Sequence, residues 1–210
     1  MILVGQYDSP YVRRVAVTLH LYGVPFTRNA ISVFGDAEEM ARIHPLVRIP
    51  SLVLDDGEVL IDSAAIIDHL DETAGTATAL TPRSGKERRR VLQATVAATG
   101  AIDKAGAVVY ERHFHEGAQL SHPWETRCKG QLAGTLRWLE SQLKGEWLTG
   151  AKMTQADVAT ACMIGYLKLR LPEALREADY PELDRHSAAC EKMDAFVACR
   201  PNPDEVMPGR

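Results

Sequence analysis

The residues best placed to do chemistry stand in one short run, Tyr7-Asp8-Ser9-Pro10-Tyr11-Val12-Arg13-Arg14. The run follows the apolar stretch Ile2-Leu3-Val4-Gly5 and opens a helical pattern that ends at Tyr22-Gly23. Ser9 therefore falls at a helix N-terminus, where unpaired backbone N–H groups and the positive end of the helix dipole favour an anion. Such a setting suits a thiolate. The segment contains no cysteine, so a thiol that reacts here must arrive with a ligand.

The elements that would carry this run are legible in the hydrophobic period. Val12, Val15, Ala16, Leu19 and Tyr22 recur at helical spacing, Gly23 offers a left-handed cap and Pro25 blocks continuation. A strand from Phe26 to Ile31 follows, which makes a β-α-β unit expected to be parallel and right-handed. After a helix around Asp36 to Ile43 come Ser51 to Leu54 and Val59 to Ile61, separated by Asp55-Asp56-Gly57-Glu58. An Asp-Gly pair between two apolar runs signals an antiparallel hairpin. A helix then begins at Asp62 or Ser63, either of which can cap it, with Ile66, Ile67 and Leu70 on its buried side. The order βαβαββα over residues 1–74 is that of a thioredoxin-like domain.

Residues 75–84, Thr-rich with Pro82, read as a linker, and strand signals vanish beyond it. Residues 85–210 are expected to form an all-helical bundle, giving an α/β domain followed by an all-α domain. Ser84-Gly85-Lys86-Glu87 has the form of a capping box, and Val91, Ala94, Ala98, Ile102, Ala105 and Val109 repeat on one helical face. Pro123 opens another helix striped by Cys128, Leu132, Leu136, Leu139 and Leu143. Thr154-Gln155-Ala156-Asp157 is a second capping box with Asp in place of Glu, and Tyr180-Pro181 leads into a final helix through Cys190, Met193 and Val197.

Composition narrows the function classes. A chain of 210 residues with 46% hydrophobic content suits one large or two smaller domains. It has no run of 18 apolar residues and no signal-peptide pattern, so a soluble, cytoplasmic protein without a membrane partner is expected. A net charge of −4 leaves no electrostatic footprint for nucleic acid, and Lys86-Glu87-Arg88-Arg89-Arg90 reads as the solvated start of a long helix. The four cysteines, Cys128, Cys162, Cys190 and Cys199, include no C-x-x-C pair and are expected reduced and buried. His113-Phe114-His115, with His122 nearby, would set its first two imidazoles about 200° apart on a helix, so no metal is expected.

Four segments taken together resemble the glutathione transferase family along nearly the whole chain. They are Ser9-Pro10-Tyr11-Val12-Arg13, His44-Pro45-Leu46-Val47-Arg48-Ile49-Pro50-Ser51, Asp62-Ser63 and Thr154-Gln155-Ala156-Asp157. The first is similar to the Cys-Pro-Tyr-Cys of glutaredoxins with both sulfurs removed, and the whole looks like a soluble, bacterial-like member of the serine type. The resemblance implies a homodimer pairing through the third and fourth helices, with glutathione as co-substrate and no metal. Ser9 would donate a hydrogen bond to the glutathione thiolate. Tyr7 is the alternative, because several branches use a tyrosine at the end of the first strand, although Ser9 lies fourteen residues before Gly23 as in the serine-type branches. Pro50 would be the family's cis-proline, turning the Ile49 backbone toward the cysteinyl part of glutathione, against the plain reading of a trans-proline starting a strand.

Asp62 and Ser63 would bind the γ-glutamyl end, with Asp where Glu is commoner, and they read equally as an ordinary helix cap. Arg48 would reach the glycine carboxylate or be a solvated loop arginine. Arg13 would add positive potential or lie solvated on the outer helix face, and Asp103 would help across a dimer interface. The electrophile would meet an apolar wall drawn from Tyr11, Tyr110, Phe114 and Tyr166, each of which also reads as packing. The implied activity is conjugation of glutathione to a small apolar electrophile, or its glutathione-dependent reduction or isomerisation. The competing class is a glutathione-binding regulatory or stress protein of the same fold with little catalysis. A thiol oxidoreductase using its own cysteine is disfavoured, with Cys199 as its remaining candidate.

Overall fold

The computed structural model describes residues 1–176, 180–202 and 205. These divide into two compact units, Met1–Arg83 joined by the described residues from Glu191 onward, and Ser84–Cys190. The sequence-based division at residues 74 and 85 thus differs at the C-terminal end, where the chain leaves the helical unit after Cys190. Residues 177–179, 203–204 and 206–210 of the expected 85–210 domain lie outside the described residues.

The first unit contains β1 (Ile2–Val4), α1 (Pro10–Leu21), β2 (Thr27–Asn29), α2 (Ala37–Ile43), β3 (Ser51–Val53), β4 (Val59–Ile61) and α3 (Ser63–Ala74). Its sheet runs β2-β1-β3-β4. The α1 crossover makes β1 and β2 parallel, with Leu3 opposite Arg28, while β3 is antiparallel to both β1 and β4. The β3–β4 turn closes through Leu54 N–H to the Glu58 carbonyl at 2.8 Å, with Gly57 at φ 92° where a side chain would be strained. The apolar stripe of α1, Val12, Val15, Ala16 and Leu19, is fully buried, as are Ile66 and Leu70 of α3. This is the expected thioredoxin-like order. The strand expected from Phe26 to Ile31 shortens to three residues.

The second unit is helical: α4 (Gly85–Phe114), α5 (His122–Gln142), α6 (Gln155–Arg170) and α7 (Pro181–Cys190). Val91, Ala94, Ala98, Ile102 and Ala105 of α4 are buried as their spacing requires, but Val108 rather than Val109 closes the stripe. Helix α6 is buried on all sides from Gln155 to Ile164, the position of a helix with no polar face. Two expectations are corrected. Ser84 makes no side-chain cap bond, so the capping box proposed for α4 does not form. The single final helix is two: α7 stops at Cys190, and α8 (Asp194–Val197) begins after a break at Glu191–Met193 and packs on α1 in the first unit.

All four cysteines are buried thiols outside any disulfide. Among the described residues no helix is long and apolar enough to cross a membrane.

Candidate functional site

The turn between β1 and α1 is shaped by Gly5. Its φ of 130° is closed to most side chains, and a Cβ there would stand 2.6 Å from Val12 Cγ2 and 3.0 Å from Ile49 Cβ. Only glycine lets the end of β1, the first turn of α1 and the Ile49 loop meet this closely. Gly5 N–H donates to the Asn29 carbonyl at 2.8 Å, and Ser9 N–H to the Gln6 carbonyl at 3.2 Å. Ser9 is thereby delivered to the N-cap of α1 in extended backbone, φ −72° and ψ 118°, with Pro10 as the first helical residue. Ser9 Oγ accepts from Val12 N–H at 3.4 Å. A hydroxyl oxygen that accepts in this way keeps its own hydrogen to donate.

The opposite side of the site comes from the α2–β3 loop and the start of α3. The Ile49-Pro50 peptide bond is cis. Val47 at φ 50° and Asp62 at φ 69° are the non-glycine residues with positive φ among the described residues. A β-branched residue in that region is a genuine outlier, and such outliers gather where the surrounding structure holds a functional backbone shape. Asp62 caps α3, its Oδ1 accepting from Ala64 N–H at 2.9 Å, and its Oδ2 faces Arg48 Nη2 at 3.4 Å. Both side chains of this pair are about half exposed, so the pair itself adds little stability. Ser63 is buried, and its hydroxyl accepts from Arg14 Nη1 at 3.3 Å. The N-terminus of the 12-residue α3 therefore offers amides, a hydroxyl and a neighbouring guanidinium in one place.

Tyr7 is oriented differently. It is buried, with the Arg28 guanidinium 3.8 Å from its ring centroid. Burial, reinforced by the Cys199 sulfur, raises its phenol from the ordinary 10.0 to about 12, although Arg28 pulls the other way. Because the folded value lies above the unfolded one, this stabilisation is complete below pH 10 and is lost as pH rises toward 12. A phenol held neutral inside the unit is poorly suited to serve a thiol at the α1 terminus. Tyr7→Phe is expected to leave kcat/KM within about threefold of the wild type, as befits a residue acting by packing. Loss comparable to that of a Ser9 variant would return the role to Tyr7.

Comparison with known proteins fits this geometry. Residues 3–78 match the glutathione S-transferase N-terminal domain and residues 122–189 the C-terminal domain. The GST-like protein YibF of Escherichia coli is 32% identical over 170 residues, covering 81% of this chain and 83% of that one. The chain belongs to the glutathione S-transferase family. A probable maleylacetoacetate isomerase of Drosophila melanogaster is 25% identical over 207 residues, covering 96% and 81% of the two chains. Among solved structures, a glutathione S-transferase of Methylobacillus flagellatus with glutathione bound is 31% identical, with a TM-score of 0.89 over 96% of this chain and 99% of that one. One of Methylobacterium radiotolerans in complex with glutathione sulfonate has a TM-score of 0.90 at 26% identity, covering 100% and 98%.

In this member of the family the residues expected to hold the thiol ligand, Ser9, Arg48, Ile49, Pro50, Asp62 and Ser63, all belong to the first unit. The four candidates for the electrophile wall are split. Tyr11 is half-buried on α1 in the first unit, and the other three belong to the second. There Tyr110 and Phe114 are exposed and meet edge to face at 6.0 Å, while the Tyr166 hydroxyl approaches Gly106 on α4. Among the described residues there is no group of three or more His, Cys, Asp or Glu side chains that could hold a metal ion. Cys199 is fully buried, which removes it as an exposed redox thiol.

Two arginines take places that the sequence does not indicate. Arg13 is neither solvated nor aimed at the site; it is 4% exposed, paired through two 2.7 Å bonds to Glu191, and donates from Nε to the Cys199 carbonyl at 2.9 Å. Arg14, which carried no assignment, is buried and serves Ser63. Gly5 was also missed, and its signal is a glycine directly between an apolar strand and a helix start.

Proposed function

We propose that this protein is a glutathione transferase in which Ser9 donates a hydrogen bond to the glutathione sulfur and holds it as a thiolate for attack on a small apolar electrophile. The observation that carries the reading is the position of Ser9 Oγ at the N-cap of α1, engaged by Val12 N–H and still able to donate. A free thiol titrates near ~8.5, and a hydroxyl donor with a helix N-terminus that lowers it by about two units contributes roughly 2.7 kcal/mol to ionisation. The γ-glutamyl carboxylate would lie at the N-terminus of α3 against Ser63, with Asp62 toward the α-amino group and Arg48 toward the glycine carboxylate. Ile49 would pair its backbone with the cysteinyl unit as an added strand does. The glutathione bound in the 31% identical structure supports this assignment of the ligand.

The reading extends to a cytoplasmic homodimer that pairs through α3 and α4. Leu92 and Val96, 39% and 67% exposed one turn apart on α4, support a covered face there. Relatives named as maleylacetoacetate isomerases make glutathione-dependent cis–trans isomerisation part of the same proposal. The test is calorimetry with glutathione followed by turnover of a panel containing chlorodinitrobenzene and a cis-enedione, with sedimentation of the same sample. We expect binding, turnover of at least one substrate and a particle of twice 23.1 kDa. Binding without any turnover would move the protein to the regulatory class. Absence of heat at millimolar glutathione would overturn the assignment.

A further inference from the structure

The turn that carries Ser9 is gripped from both ends by the segment that follows α7. On one side Arg13, next to the Ser9 cap, is bound to Glu191 and to the Cys199 carbonyl. On the other, Tyr7 N–H, at the middle of the Gln6–Ser9 turn, donates to Glu205 Oε2 at 2.8 Å, and this bond is buried. The same carboxylate is paired through Oε1 with Arg28 of β2, and Arg28 lies over the Tyr7 ring. Glu205 is itself 9% exposed and is anchored locally by its N–H to the Asn202 carbonyl at 2.9 Å.

A carboxylate with few waters needs every one of its protein donors, and a backbone N–H buried in a turn needs an acceptor. Here each supplies the other. Neither residue touches the Ser9 hydroxyl, but together they fix the backbone two residues before it. We propose that Glu205 is a positioning residue for Ser9: it clamps the β1–α1 turn through Tyr7 N–H, with Arg28 holding the carboxylate in place from β2. The inference rests on the reading that Ser9 ionises the glutathione thiol. It gives Tyr7 a role through its main chain, which agrees with its side chain being turned inward.

The test measures the pKa of the bound glutathione thiol from its thiolate absorbance, together with kcat/KM and glutathione affinity, in wild type, E205A, E205Q and S9A. E205A is expected to raise the thiol pKa by about one unit and so to lower kcat/KM at pH 7 about threefold. Its glutathione affinity should stay within about threefold, because Arg48, Asp62 and Ser63 are untouched. Glutamine keeps one acceptor oxygen for Tyr7 N–H but turns its NH2 group toward Arg28, so E205Q should show a measurable shift of about a quarter to a half of that in E205A. A clamp that merely stabilises the fold would lower the melting temperature and leave the thiol pKa alone. An unshifted thiol in E205A beside a shifted one in S9A would overturn the role of Glu205 and leave that of Ser9 standing; no shift in S9A would overturn both. Should E205A not accumulate, a wild-type thiol pKa and kcat/KM in E205Q would count against the proposal.

Discussion

Replacing Ser9 by alanine is expected to leave the fold in place and to abolish most of the ionisation of bound glutathione. The structural cost is a helix cap: Val12 N–H loses a 3.4 Å partner at the edge of the unit, worth about 1 kcal/mol. The chemical cost is larger. With the hydroxyl present, a thiol pKa near ~6.5 leaves roughly three-quarters of the ligand ionised at pH 7, and a return to ~8.5 leaves only a few per cent. The helix N-terminus survives the substitution and retains part of the effect, so kcat/KM at pH 7 should fall by about 25-fold at most, and by no less than about fivefold.

The sign of the pH response separates this from a general loss of packing. Lowering a thiol pKa extends activity toward acid, so the ascending limb of kcat/KM against pH should move upward in Ser9→Ala and the rates should converge with wild type above about pH 9. Ser9→Thr keeps an oxygen that can accept and donate and should fall between the two. A wild-type pH profile in Ser9→Ala, with unchanged thiolate absorbance, would remove Ser9 from the chemistry.

What could be read from the chain and what could not divide along physical lines. The α1 cap, the Asp62-Ser63 cap and the hairpin at Asp56-Gly57 are local: residue type and spacing over a few positions determine which backbone groups are satisfied, so they are visible without a structure. The capping box at α6 is local in the same way. The one at Ser84 had the same sequence form and does not close, because the pattern states only which bonds are possible; the residue after the cap, Gly85, stands at φ 84°, outside the helical region.

Arg13, Glu191 and Glu205 were opaque for the opposite reason. Each is a charged residue whose ordinary place is the surface, and its pairing involves partners 177 to 198 positions away in the chain. No periodicity records such a pairing. The return of the chain to the first unit after Cys190 belongs to the same class: the final helical pattern continues through Met193, and only the break at Glu191–Met193 shows that the last helix packs on α1. Tyr7 lies between the cases. Its position after β1 made it a candidate activator, and only the cation above its ring and the burial of its phenol show where its side chain goes.

The largest effect on stability is expected at Asp157, which is fully buried at the start of α6. Its Oδ2 accepts from Thr154 N–H and from the Thr154 hydroxyl, both at 2.8 Å. Its Oδ1 accepts from Leu148 N–H at 2.8 Å and faces His186 Nε2 at 3.1 Å. One carboxylate thus ties the α5–α6 loop, the α6 cap and α7 together. Since a carboxylate can only accept, the His186 proton must sit on Nε2. Asp157→Ala strands two buried backbone donors and the imidazole. At about 1–3 kcal/mol for each orphaned donor, the expected loss is about 4 kcal/mol, against a typical total of ~5–15.

Asparagine should rescue little. Each carboxylate oxygen accepts from at least one backbone N–H, so whichever way the amide is turned its NH2 group points at a donor. Asp157→Asn is therefore expected to lose nearly as much as Asp157→Ala, whereas Thr154→Ala, which removes one hydroxyl and leaves the carboxylate bonded to both backbone N–H groups, should lose about 1 kcal/mol. Urea unfolding of the three variants reads the difference directly. Asp157→Asn behaving like wild type would mean that the loop and helix can exchange these bonds for water, and that the carboxylate is not what joins them.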